Sequence, residues 1–208
     1  MFITFEGGEG SGKTTQIKRV VHYLDTKGLK CFITREPGGT EIGEQIRRIL
    51  QSSKNKGIVP ETEMLLFVAD RVQHVKELIE PVLQDGGIVL CDRYMDSTYA
   101  YQVVARNLNL KLVKHLHKIF KIPKPDKTFL MDVPPSLGLS RAQGRLEETK
   151  SDVGQNRFEE EALSFHQALR EGYLSLVNEE PERFFIIDAK FPEERVWQRI
   201  KMILNTLF

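Results

Sequence analysis

The stretch "FITFEGGEGSGKT", residues 2–14, decides the fold. Phe2 to Phe5 form a short run of strand composition. Gly7-x-x-x-x-Gly12-Lys13-Thr14 follows at once, and behind it Ile17, Val20, Val21 and Leu24 recur at the i, i+3, i+4, i+7 spacing of an amphipathic helix. Gly28 stands where a left-handed helix stop is expected. A glycine-rich joint between strand and helix turns backbone N–H groups and the helix N-terminus toward one anion, and its glycines permit close approach. Lys13 then reaches the outer phosphates of a nucleotide, and the Thr14 hydroxyl is placed to hold Mg²⁺. Gly7, Gly8, Glu9, Gly10, Ser11, Gly12, Lys13, Thr14 and Thr15 are therefore the candidate nucleoside-triphosphate site. Glu9 is the anomaly, a carboxylate at the centre of an anion cradle.

Outward from this joint, strand-length apolar runs recur at Lys30 to Thr34, Ile88 to Cys91, Thr128 to Met131 and Phe184 to Ile187, separated by longer helical patterns. The alternation predicts an α/β fold, a five-stranded parallel sheet with helices on both faces. Val196, Ile200, Ile203, Leu204 and Leu207 repeat the amphipathic spacing behind Pro192. Without repeats or linker-like tracts, residues 1–208 are read as a single domain. One polar interruption, "GRLEETKSDVGQ" at 144–155, has the composition of a solvated flap, and a lid is expected at about 141–157. A net charge of +1 supplies no general field for a nucleic-acid backbone, and no apolar run is long enough to span a bilayer. The expectation is a cytoplasmic protein with neither nucleic acid nor membrane as partner. Cys31 and Cys91 lie in strand-like runs without metal-ligand spacing and are expected as small buried hydrophobes.

A second phosphate-reading element is "IVLCDRY" at 88–94, an apolar strand ending in Asp92-Arg93. In a phosphate-loop fold a neighbouring strand ends near the loop, so Asp92 is the candidate metal-side carboxylate. Arg93 is suited as a fork for another phosphate group.

Several stretches together resemble one family. "FEGGEGSGKTT" at 5–15, "TREPGGT" at 34–40, "LLFVADRVQHV" at 65–75 and "DRYMDSTYAYQ" at 92–102 are similar to thymidylate kinases of the bacterial type. "PDKTFLMDVPPSLGLSRA" at 125–142, "RFEEEALSFHQALREGYLSL" at 157–176 and "FFIIDAKFPEERV" at 184–196 continue the family's order. The resemblance implies a P-loop kinase fold, ATP as phosphoryl donor with Mg²⁺, dTMP as acceptor, and a homodimer. Periodicity alone would bury Phe67 in the core; the resemblance instead sets it beside Arg71, four residues on, as a stacking plate and a donor to the base. It assigns Ser97, Thr98, Tyr101 and Gln102 to the base and sugar, and Arg35, directed by Pro37, to the acceptor phosphate. Glu9, in the family's acidic loop position, is turned toward the acceptor's 3′-hydroxyl or water around Mg²⁺. Arg141, Arg145 and Arg157 are the lid's candidate catalytic arginines, alongside Lys13 and Arg93, and Lys190 belongs to the adenine-side loop.

The sequence departs from the family at two points. Val103-Val104-Ala105-Arg106 replaces a glycine-containing turn, which predicts a more continuous helix and a tighter base pocket. Asn156 precedes Arg157 where the family commonly has Asp, in a longer lid. The expected reaction moves the ATP γ-phosphoryl group to dTMP without a general base, because an acceptor phosphate with a second pKa near ~6 is already mostly ionised. The alternatives are a deoxynucleoside kinase, which needs a carboxylate to take a hydroxyl proton, and a nucleotide-binding switch.

Overall fold

The computed structural model describes the backbone of residues 1–149 and 157–208 and the side chains of 1–144 and 157–208. The five strands are β1 (Phe2–Glu6), β2 (Cys31–Arg35), β3 (Ile88–Asp92), β4 (Lys127–Asp132) and β5 (Phe184–Asp188). They form one sheet in the order β2-β3-β1-β4-β5, every pair parallel. Four strands contain their predicted apolar runs and β2 begins one residue inside its own, at Cys31; each continues one residue past the run onto a charge: Glu6, Arg35, Asp92, Asp132 and Asp188. Charge is thereby concentrated along the carboxyl edge of the sheet. Because the chain leaves β1 toward β2 on one side and later reaches β4 on the other, the crevice beside β1 is the topological switch point at which such sheets bind ligands.

The helices are α1 (Lys13–Thr26), α2 (Glu41–Gln51), α3 (Pro60–His74), α4 (Glu80–Gln84), α5 (Met95–Thr98), α6 (Leu110–Ile119), α7 (Pro135–Thr149), α8 (Leu163–Glu179) and α9 (Glu193–Leu207). Residues alternate across the sheet, so Ile3 and Phe5 face α1 and α9, packing with Val20, Leu24, Ile200 and Leu204. On the opposite face Phe2, Val89 and Cys91 pack against Val75 and Ile79, while Leu130 and Phe184 pack against Leu169 and Tyr173 of α8. A polar seam separates these two clusters. Thr4 and Thr128 share a 2.8 Å hydroxyl hydrogen bond, and Arg183 donates to Thr128 at 2.7 Å and to both oxygens of Asp96 at 2.6 and 2.8 Å.

Three local expectations are modified. Cys91 is buried, but Cys31 is only half-buried because β2 is an edge strand, where Phe32 and Ile33 also remain exposed. The helix after Asp92-Arg93 does continue through Val103 and Val104, yet Tyr99–Ala105 is a π-helix, a wider coil that recurs at functional sites. The stretch 144–155, expected as a flap from its polarity, is helical as far as Thr149 in α7; its remainder, 150–155, lies outside the described residues.

Candidate active site

Gly12, with φ 85°, ends the glycine loop and caps α1, whose first turn holds no acidic residue and receives no side-chain cap. The helix thus presents backbone N–H groups without an internal acceptor, the arrangement that attracts an anion. Gly10 has φ 62°, and a Cβ there would stand 2.0 Å from the Gly138 carbonyl oxygen, so only glycine lets the loop lie against α7. Lys13 is buried, and its ammonium donates to the carbonyl oxygens of Gly7 (3.1 Å) and Gly8 (2.9 Å) and to Ser11 Oγ (3.2 Å). Burial, then the neighbouring Arg93 charge, lowers its pKa to about 8. Thr14 donates to Asp92 Oδ2 at 2.9 Å, bringing together a hydroxyl and a carboxylate from the ends of two strand-derived elements.

Arg93 occupies the left-handed region at φ 67°, a strained conformation for a side chain of this size and one typical of functional positions. Its backbone N–H is tied to the Phe5 carbonyl at 2.9 Å, and its guanidinium donates to Gly7 O (2.8 Å) and Glu9 Oε1 (2.9 Å). The same Glu9 oxygen accepts the Tyr101 hydroxyl at 2.5 Å. Burial alone would raise the Glu9 carboxyl, but Arg93, Lys13, Tyr101 and His166 outweigh it and hold it below its ordinary value. Glu9 is consequently a fixed anion between two cations, which resolves the misfit of an acid within the phosphate cradle.

Beyond Arg93 the cleft is framed by α3. Phe67 and Arg71 share its inner face, with Phe67 half-buried and Arg71 almost wholly enclosed. Arg71 Nε donates to Glu36 at 2.8 Å, Nη1 to Thr98 at 2.8 Å and toward His117 Nε2 at 3.1 Å, and Nη2 to the Tyr94 carbonyl at 3.0 Å. All three nitrogens therefore have protein partners, and donation to a base needs a shared or exchanged bond. Burial and the Arg71 charge push His117 down to about 3, so its ring stays neutral. Glu36 also receives His74 Nδ1 at 2.9 Å, and the next turn of the loop is held where Asp70 Oδ1 accepts the Gly38 N–H at 3.0 Å.

One cleft with a volume of about 370 Å³ joins these parts. From the predicted set it brings together Glu9, Gly10, Lys13 and Thr14 of the loop, and Arg35, Pro37, Asp92 and Arg93 of the neighbouring strand ends. Phe67, Arg71, Ser97, Thr98, Tyr101 and Gln102 complete its wall. Gly7 and Gly8 line a smaller recess behind the loop, and Thr15 is exposed. Arg141 donates to the carbonyls of Ala189 (2.7 Å) and Lys190 (3.1 Å), and Lys190 pairs with Asp188 at 2.8 Å, so both stand at the β5 end. The side chain of Arg145 lies outside the described residues.

Arg157 departs from its expected place. Rather than reaching toward the loop, it is buried, donating from Nη1 to Glu63 at 2.7 Å and from Nε to the Leu50 carbonyl at 2.5 Å. A guanidinium so enclosed is held by the cost of separating it from its carboxylate. Sequence reasoning also missed Glu36, Arg47 and Phe158, all lining the cleft, and the buried Glu63 beneath it. Glu63 and Phe158 left no local signal, since their partners lie far along the chain.

The thymidylate kinase family model matches residues 5–200. The chain belongs to the thymidylate kinase family. A thymidylate kinase of Desulfosudis oleivorans is 48% identical over 201 residues, covering 96% of this chain and 94% of that one. One from Geobacter sulfurreducens is 48% identical over 189 residues, covering 90% and 88%. The crystal structure of thymidylate kinase from Ehrlichia chaffeensis superposes with a TM-score of 0.77 at 31% identity, covering 98% of both chains. The family's parallel five-stranded fold is the fold described above. Among the described residues no helix is long and apolar enough to cross a membrane.

Proposed function

We propose that the cleft holds ATP and dTMP end to end, with the glycine loop on the donor and the α3 wall on the acceptor. The chain is a thymidylate kinase, which phosphorylates dTMP to dTDP with ATP in the route to dTTP. The observation carrying the placement is the continuity of the cleft from Lys13 and Thr14, past Asp92 and Arg93, to Phe67 and Gln102. The Lys13 ammonium, resting on loop carbonyls, is exchanged onto the donor's phosphates, where its depressed pKa rises and its charge opposes the negative charge of the transferring group. Arg35 and Arg93 receive the acceptor phosphate, while Phe67 stacks the base and Thr98 and Gln102 meet its polar edge. Tyr101, held by Glu9, packs beside the sugar, and Glu9 faces its 3′-hydroxyl.

Thr14 and Asp92 fit Mg²⁺, since both offer hard oxygen donors and stand 2.9 Å apart at the mouth of the loop. A magnesium ion there supplies charge neutralisation to the donor phosphates. Arg141 braces the adenine side with Lys190, and residues 141–157 act as the lid of a single unit, with Arg145 as its candidate catalytic arginine. The protein works in the cytoplasm as a homodimer; α2 and α3 leave Ile42, Ile49 and Leu65 exposed for a second copy. Sedimentation showing only monomer at micromolar concentration would overturn the dimer.

Arg35 gives the clean test of substrate placement, being exposed and, among the described residues, paired with Glu44 at 3.0 Å. Arg35→Ala should raise the KM for dTMP about ten- to hundredfold, the value of a charge-assisted hydrogen bond, and leave the KM for ATP unchanged. A rise confined to ATP would reverse the assignment of donor and acceptor ends.

A further inference from the structure

Glu63 lies one turn before Phe67 on α3, and with Phe67 and Arg71 it shares the face turned toward the cleft. It is only 1% exposed, yet four polar contacts converge on it. Oε1 accepts Gln102 Nε2 at 2.9 Å, Oε2 accepts Arg157 Nη1 at 2.7 Å, and the Arg106 guanidinium stands 3.4 Å from each oxygen. Arg157 is fixed in turn by its backbone N–H to the Gln51 carbonyl at 3.3 Å, and its guanidinium covers the Phe158 ring at 4.3 Å. Phe158 lines the cleft, 6.2 Å from Phe67 and edge-on to Tyr101 at 5.4 Å.

We infer that Glu63 is a positioning residue for the acceptor's base, setting the Gln102 amide directly and seating the Phe158 ring through Arg157. The inference rests on the placement of the base against Phe67 and Gln102 proposed above. An ionised carboxylate has lone pairs and no donor, so Gln102 must present its NH₂ edge to Glu63, leaving Oε1 as the amide's acceptor for a ligand. An acceptor at that position matches a pyrimidine whose ring nitrogen carries a hydrogen, as in thymine or uracil, and mismatches cytosine, whose corresponding nitrogen has only a lone pair. The Arg157 charge keeps Glu63 committed to this role, and the same guanidinium forms the back of the aromatic wall. One buried carboxylate thereby aligns the hydrogen-bonding edge and the stacking face of the pocket.

Substituting Glu63→Gln tests this by satisfiability. Arg157 can only donate and so claims the one remaining oxygen of the new amide; its NH₂ edge then faces Gln102 and forces that amide to turn over. Steady-state kinetics with dTMP and ATP varied in turn should show the dTMP KM raised about tenfold, with kcat and the ATP KM within about twofold. In a Gln102→Ala background the same substitution should add little, because its effect on the base is relayed by that amide. Equal rises in both KM values, additive effects of the two substitutions, or an unchanged dTMP KM in a folded Glu63→Gln would overturn the inference. Should Glu63→Gln not fold, Glu63→Asp keeps the charge opposite Arg157 while withdrawing from Gln102, and the same criteria apply. Phe67→Ala separates the two levels: a raised dTMP KM there with none in the Glu63 variant sinks only the role of Glu63, and no rise in either removes the base from this wall.

Discussion

The two ends of the cleft are built on opposite plans. At the phosphate end, Gly7 through Thr14 supply the loop, the helix N-terminus, the ammonium and the hydroxyl within one turn of chain. At the base end, Gln102 and Arg157 meet Glu63 from 39 and 94 residues away. The phosphate end relies on backbone conformation, so its determinants are local and tolerate few substitutions. The base end relies on buried charge, so its determinants are distant and each is coupled to the stability of its neighbours.

That contrast can be broken most sharply at Lys13. Lys13→Ala should lower kcat about 10³-fold, as for loss of a preorganised transition-state donor, while calorimetry finds the melting temperature little changed. A loss of stability comparable to the loss of turnover would erase the distinction. Next in size, Gly10→Ala sets a Cβ against the Gly138 carbonyl and strains a left-handed residue, and displacement of the loop should cost about 10² in kcat/KM for ATP. Unaltered ATP kinetics would show that the loop is not held by α7.

Arg157→Met sharpens the other end. It abandons a buried carboxylate and should lower stability by about 3–5 kcal/mol, read as a melting temperature about ten degrees lower, while saturating kcat falls less than about threefold. A collapse of kcat in a stable variant would return Arg157 to the phosphoryl group.

The smallest effect concerns Asp70, whose carboxyl is pushed up to about 7 by burial and the nearby Glu36. Between about pH 4 and 7 the folded chain keeps a proton that the unfolded chain has released, so the stability Asp70 contributes is lost as pH rises through that window. Asp70→Asn retains an oxygen for the Gly38 N–H and cannot ionise. Its melting temperature should exceed that of the parent at pH 8, and the gap should close as pH falls toward 4. A constant difference at both values would show that the effect is packing alone.

Much of the fold was legible because period and punctuation were unambiguous. The five apolar runs became the five strands, and Gly28 did end α1, at φ 72°. Cys31 was misjudged because hydrophobicity identifies a strand without saying whether it lies at an edge. The π-helix at Tyr99–Ala105 was legible only as a helix, since side-chain spacing over seven residues does not separate the two coils. Arg157 misled for a related reason: an arginine after a polar stretch has the same sequence signature whether solvent or Glu63 receives it.

The sequence by itself determined the strand order's raw material, the anion loop and the chemistry of its lysine and threonine, because these depend on neighbours within one helical turn. Only the tertiary structure decided where Glu9 would point, that Arg71 would be enclosed by Glu36, Thr98 and Tyr94, and that Glu63 would join α3 to Gln102 and Arg157. The reason is physical: a buried charge is specified by whichever distant groups fold around it, and no local pattern encodes partners that meet only when the core closes.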